Sequence, residues 1–165
     1  RVGHAREGEK PGEVGLLSKV KLIGPNLADT TIAAGAGDAS IGVASVIRYD
    51  TALDTPANKA FVEAFQAKYG HAPSQLAGDA YDGFKWWLAT IDSTGSWDKA
   101  AWLKAFSEST WDSSVLGTRT MRACDNQAQN PSLVAEVVQG DGSGLPYVMK
   151  TIASFPADQV ATACP

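Results

Sequence analysis

From residue 20 onward the chain alternates short apolar runs with longer stretches of helical period. Val20-Lys21-Leu22-Ile23 is an apolar run stopped by Gly24-Pro25, which predicts a strand over 20–23. Thr30 or Thr31 is placed to cap a brief helix that closes on Gly35 and Gly37. The stretch IGVASVIRY, 41–49, alternates loosely and is rich in β-branched residues, so a second strand is expected there. Thr55-Pro56 then supplies a cap and a first-turn proline. Behind it Ala60, Phe61, Ala64, Phe65 and Lys68-Tyr69 carry a helical stripe to Gly70. Pro73-Ser74 restarts a longer helix, with Leu76, Ala80, Phe84, Trp87, Leu88 and Ile91 on one face, ending near Gly95. Ser96 can cap a third helix that buries Trp97, Ala101, Leu103 and Phe106. After Gly117 the pattern becomes extended at 118–123, 133–139 and 147–152, with Gly140-Asp141-Gly142-Ser143-Gly144 joining the last two. The leading segment RVGHAREGEKPGEVG, charged and glycine-rich, reads as a loop or the frayed end of a helix.

Strands alternating with helices define an α/β class with a largely parallel sheet. The order is uneven, with two strands, three helices and then two or three strands, as in a piece of something larger. At 165 residues, 44% apolar and 19% charged, the chain has the size and composition of one soluble globular domain. The net charge of −4 is spread without a run of either sign, and the basic face that a nucleic-acid binder needs is missing. No apolar stretch reaches the roughly 18 residues of a membrane span. The sequence opens at Arg1 with no Met and no hydrophobic signal segment, the expectation for a processed or truncated product.

Candidate chemistry is sparse. Cys124 and Cys164 could be two buried thiols, half of a metal site, or a disulfide. Structural zinc takes four ligands, and His4 and His71 each stand alone, so a disulfide is the favoured reading for an exported chain. Gly35, Gly37 and Gly42 approach a dinucleotide fingerprint, but Ser40 replaces its third glycine and a strand follows where a helix should. Asp79 and Asp82 sit three apart on the long helix, with Lys85 beyond, and read as a solvated face. Ser40, Ser45, Ser93 and Ser96 lie in no nucleophile elbow, and no histidine is placed to activate one. The five tryptophans, Trp86, Trp87, Trp97, Trp102 and Trp111, all fall in the helical part, where packing is the expected use. No cofactor is implied.

Three pieces together carry a family resemblance: GDASIGVASVIRYD, PANKAFVEAFQAKYGHAPSQLAGDAYDG and LGTRTMRACDNQ. In this order and spacing the chain resembles the C-terminal portion of the branched-chain amino-acid (Leu/Ile/Val) binding proteins of ABC importers. The resemblance implies a type I periplasmic binding protein fold, two Rossmann-like lobes joined by a hinge, of which this chain supplies roughly the C-terminal half. Residues 1–50 would belong to the second lobe, 51–130 to the first, and 131–165 would return to the second, with the upstream half missing. It further implies a solute-contacting loop at Pro25, Asn26 and Leu27, a hinge crossing at Tyr49 and Asp50, and a disulfide between Cys124 and Cys164 pinning the return. In branched-chain amino-acid binders an acidic residue occupies the position of Asn26, so this chain departs from them where a ligand ammonium would sit. The implied activity is non-enzymatic capture of a small organic solute, an amino acid or an aromatic or aliphatic carboxylate. The solute would be delivered to ABC permease subunits from a periplasmic or extracellular location. A sensor module built on the same fold and a small α/β hydrolase-type enzyme are the other classes considered.

Overall fold

The computed structural model describes Gly15, residues 18–161, and residues 163 and 164; the charged leading segment expected as a loop, 1–14, lies outside the described residues. Strand β1 (Ile23–Pro25) leads into helix α1 (Thr30–Ala36), a 3₁₀ turn (Gly37–Ser40) and strand β2 (Ala44–Ile47). Three helices follow, α2 (Pro56–Tyr69), α3 (Gln75–Thr94) and α4 (Lys99–Ser107). Short strands β3 (Thr110–Trp111), β4 (Arg119–Met121) and β5 (Ala128–Gln129) precede β6 (Ser132–Gln139), β7 (Tyr147–Phe155) and the one-turn helix α5 (Ala157–Val160).

The chain divides into two compact units. The first contains the described residues up to Ile47 together with Leu133–Ala153; the second contains Arg48–Ser132 and the described residues from Ser154 on. From Ser154 the chain belongs to the second unit, where Cys164 is bonded to Cys124 across a sequence separation of 40. Closing a loop of that length stabilises the unit by about 4 kcal/mol in the chain-entropy model.

In the first unit the sheet order is β1-β2-β6-β7. β1 and β2 are parallel, but β2 and β6 are antiparallel, so the largely parallel sheet expected from the element order is in fact mixed. The reason lies in the register. Ile47, the last residue before the chain leaves the unit, is paired with Leu133, the first after it returns, so β6 must run backwards along β2. Alternation along β6 turns Leu133, Ala135 and Val137 inward. Val137 joins Ala28, Ala33 and Val43 in the core, against Leu22, Tyr147 and Met149. On the surface Lys21 pairs with Glu136, and the Tyr147 hydroxyl donates to Asp38 at 2.8 Å.

Local signals set most helix ends in the second unit. Thr55 Oγ1 accepts from the Asn58 amide at 3.0 Å with Pro56 in the first turn, and Gly70 stops α2 in the left-handed region at φ 76°. Ser74 caps α3, and Gly95 ends it in the left-handed region. Elsewhere a different residue takes the cap. Asp29, not Thr30 or Thr31, accepts from the Ile32 amide, and Asp98, not Ser96, accepts from Ala101. Both carboxylates also suit the positive end of the helix. The first strand begins at Ile23 rather than Val20.

The larger departure concerns α3. Its buried face is Gln75, Gly78, Asp82, Trp86, Thr90 and Ile91, while Leu76 and Phe84, expected inside, are 58% and 60% exposed. Asp82 is not on a solvated face. It accepts from Ser114 Oγ at 2.9 Å, from the Val115 amide at 2.8 Å and from the Arg119 guanidinium. Arg119 also donates to Asn130 and lies 5.3 Å from the Trp86 ring, whose Nε1 donates to Ser109 at 2.9 Å. A carboxylate can be buried here because three donors replace its water. Asp79 alone stays near the surface, paired with Arg48. One turn before Asp82, Gly78 supports the ring of Tyr49, and a Cβ added there would lie 2.5 Å from that ring. Tyr49, Phe61, Val115 and Leu116 form the core cluster around it.

Replacing Arg119 by Met leaves Asp82 charged and unpaired in the interior and is expected to cost about 3–5 kcal/mol in urea unfolding. Gly78→Ala gains helix propensity but overpacks Tyr49, and the expected result is a net loss of about 1–3 kcal/mol, read by the same measurement.

Candidate functional site

The loop after β1 is built by its parallel neighbour. Pro25 stands opposite Val46, and the Asn26 amide donates to the Val46 carbonyl at 3.3 Å. Asn26 then takes φ 49°, in the left-handed region that asparagine tolerates better than other residues with a side chain, and the chain turns out of the sheet. The turn is held from below by Ser45, which is fully buried on β2. Its hydroxyl accepts from the Leu27 and Ala28 amides at 2.9 and 3.2 Å and donates to the Gly24 carbonyl at 3.3 Å. One donor and two acceptor positions are all that a hydroxyl has, and all are used. Asp29 closes the arrangement by capping α1.

Pro25, Asn26 and Leu27 are thus displayed together, exposed, at the carboxyl end of a parallel strand. That is where open α/β sheets bind ligands. The Asn26 amide can donate and accept hydrogen bonds but carries no charge. Leu27, 39% exposed, adds an apolar contact beside it.

Tyr49 and Asp50 are the second and third residues of the second unit, after the boundary at Ile47, and both are buried. Tyr49 meets Phe61 edge-on at 6.2 Å between centroids, and its hydroxyl has no hydrogen-bond partner. Burial, with the Asp50 charge adding to it, pushes the phenol far above its ordinary pKa, so it stays neutral. Asp50 accepts from the Ala52 amide at 2.9 Å, and Asn58 Nδ2 donates to the Thr51 and Leu53 carbonyls, each at 2.9 Å. The segment after the boundary is consequently a turn wrapped on one buried amide.

The remaining candidates are structural. Cys124 and Cys164 are joined, which resolves the alternatives left open by their spacing. Among the described residues no group of three or more His, Cys, Asp or Glu side chains could hold a metal, and no helix is long and apolar enough to cross a membrane. Gly37, the first residue of the 3₁₀ segment, and Gly42, two residues beyond its end, both have positive φ. His71 Nδ1 lies 2.8 Å from the Ala72 carbonyl, and the ring meets Phe65 edge-on. The sequence weighed Ser45 only as a nucleophile. Its use as the clamp of the loop could have been sought in a small polar residue interrupting an otherwise β-branched strand.

An exposed loop at the carboxyl end of a parallel strand pair is a geometry that suits ligand binding in an α/β protein. The chain belongs to the periplasmic binding protein family, whose profile matches residues 11–143. Its fold is the type I periplasmic binding protein fold. It is similar to the solute-binding protein of an ABC transporter from Rhodopseudomonas palustris BisB5 in complex with 3,4-dihydroxybenzoic acid. The TM-score is 0.74 at 26% identity, over 94% of this chain and 41% of that one. It is also similar to the amino acid ABC transporter substrate-binding protein from Pseudomonas fluorescens Pf-5, with a TM-score of 0.77 at 26% identity, over 94% and 42%. The leucine binding protein LivK from Thermotoga maritima MSB8 shares the fold, with a TM-score of 0.71 at 22% identity, over 90% and 41%. The chain spans about two fifths of the length of these relatives. A search of the curated proteins gives no match.

Ser45→Ala removes the clamp while leaving the strand. The expected outcome is a loss of about 1–3 kcal/mol and faster hydrogen exchange at the Leu27 and Ala28 amides, measured by NMR. Unchanged protection of those two amides would show that the loop is held by something else.

Proposed function

We propose that the chain is the C-terminal portion of an extracytoplasmic receptor, periplasmic or extracellular, that captures a small organic solute and delivers it to the permease subunits of an ABC importer. The first unit serves as part of the second lobe and the second unit as part of the first. The chain passes between the units at Ile47, Ser132 and Ala153, which suits a hinge made of several crossings. Tyr49 and Asp50, packed into the second unit, anchor the first crossing. The missing walls of the cleft come from the upstream part of the same polypeptide. No covalent step is involved; selective binding shifts the population toward the closed form.

The observation that carries the reading is the clamped loop with Asn26 at its tip. An uncharged amide suits a solute offering hydroxyl or carboxylate oxygens and supplies no countercharge for a buried ammonium. The relative bound to 3,4-dihydroxybenzoic acid is consistent with such a solute. An aromatic or aliphatic carboxylate is therefore preferred over a simple branched-chain amino acid.

The test is calorimetric titration of the full polypeptide with hydroxybenzoates, aliphatic carboxylates and branched-chain amino acids. Asn26→Ala is expected to weaken the best carboxylate about 10-fold, equal to about 1.4 kcal/mol. Asn26→Asp should weaken it further, by placing a second negative charge in the site. An Asn26→Ala dissociation constant equal to that of the parent would remove the loop from the site, and no binding across the panel would sink the receptor reading.

A further inference from the structure

The second unit holds a pocket of about 210 Å³ that the proposed function does not use. It is built from the places where the chain enters and leaves that unit. Arg48 is the first residue after the boundary at Ile47, and Ser132 is the last before the chain departs. Ala157, Val160 and Ala161, in and just after the one-turn helix α5, follow its return at Ser154. Arg122 and the stretch Gln127–Pro131 complete the lining.

The ionised groups that line the pocket are both cations, Arg48 and Arg122, and among the described residues no Asp or Glu lines it. Each guanidinium is oriented by a carboxylate that is not part of the lining. Arg48 Nε and Nη2 lie 2.9 and 2.8 Å from Asp79 Oδ2, which leaves the Nη1 donors for a ligand. Arg122 Nε donates to Asp125 Oδ1 at 3.1 Å, its amide donates to the Gln127 carbonyl at 2.9 Å, and its side chain is 11% exposed. Asn130 is oriented as well. Its amide oxygen accepts from Arg119 Nε, so its Nδ2 is the group left to donate. Each ion pair is neutral as a whole, so recognition here rests on directed hydrogen bonds more than on net charge, which favours a carboxylate over a halide. Ala128, Pro131, Ala157, Val160 and Ala161 supply apolar surface in the same pocket. Its volume falls below the roughly 300–1,000 Å³ of sites for larger organic ligands, which sets a small size for the occupant.

We infer that this pocket is a second ligand site, taking a small aliphatic carboxylate whose head group meets Arg48 and Asn130 and whose chain lies along Pro131, Ala157 and Val160. All of its lining belongs to the second unit, whereas the Asn26 loop belongs to the first. A molecule bound there joins α5, none of whose residues is buried, to the segments at Arg48 and at Asn130–Ser132, and so steadies the one-turn helix. The inference needs neither the Asn26 loop nor delivery of a solute.

Butyrate is the probe, titrated into the full polypeptide at constant ionic strength with chloride as the control. NMR follows the Arg48 Nε–H and Val160 methyl signals. Both are expected to shift saturably with one dissociation constant of about 1 mM or tighter, while chloride gives no saturable shift. Arg48→Gln removes the cationic fork. Val160→Glu sets a carboxylate at the rim in place of a side chain on a residue that is 39% exposed. Each is expected to weaken butyrate about 10-fold or more, and either one decides the matter if the other fails to fold. Shifts that rise linearly with butyrate, or that chloride reproduces, overturn the inference. A folded variant of either kind with the parent's dissociation constant does so too. The Asn26 side-chain amide reports on the first unit separately. If Asn26 and Val160 titrate together and both respond to Arg48→Gln, there is one site and the inference fails. Saturation at Val160 in a protein that binds no solute at Asn26 keeps this site and discards the receptor; the reverse result discards this site alone.

Discussion

The buried pair between Asp82 and Arg119 is the constraint around which the second unit is arranged. A carboxylate in the interior is tolerable only when its partners are fixed, and fixing them orders three separate segments. Ser114 and Val115 arrive from the loop after β3, Arg119 from β4, and Asp82 itself from the middle of α3. Arg119 extends the network to Asn130 and to the face of Trp86, and Trp86 reaches Ser109 at the end of α4. Val115 and Leu116, held by this turn, complete the apolar cluster with Tyr49 and Phe61. Polar and apolar packing are therefore one arrangement. Removing the pair would loosen the core as well as the ionic contact.

The first unit works on a smaller scale with a neutral group. A single buried hydroxyl, Ser45, is enough to convert the end of β1 into a presented turn, because parallel pairing brings Gly24 directly beside it. The left-handed backbone at Asn26 is the local cost, about 1 kcal/mol or less for asparagine. What it yields is an amide and a leucine held outward on a rigid support rather than on a free loop. Groups preorganised in this way lose less entropy on binding than groups on a free loop.

Features encoded by neighbouring residues were legible in the sequence. The ends of α2 follow from Thr55, Pro56 and Gly70, and those of α3 from Ser74 and Gly95. The extended tract before the Gly-rich turn, expected at 133–139, was equally legible. The face of α3 was not, because helical periodicity reports which side is apolar and not which side is covered. The donors that bury Asp82 come from 32 to 37 residues later, beyond the reach of any local pattern. Separation in sequence also hides the role of Ser45 and the antiparallel entry of β6, both of which depend on pairings made only in the sheet. Strands β3 and β5, two residues each, carry no periodicity at all. At the candidate site, the sequence offers the loop and its tip residue only as a proposal, while the buried support behind them depends on contacts made in the sheet.

The bond between Cys124 and Cys164 also has a consequence for biogenesis. Cys124 is synthesised 40 residues ahead of its partner, and in the folded chain both positions lie at the surface. During that interval it is a lone thiol, open to glutathione or to another nascent chain. Maturation of the second unit thus ends with a chemical step, and its yield is a contest between the right sulfur and the wrong ones. In a compartment that keeps thiols reduced, the chain would reach its shape with the tail untied. An oxidising environment is part of its assembly instructions, as much as any residue in its core.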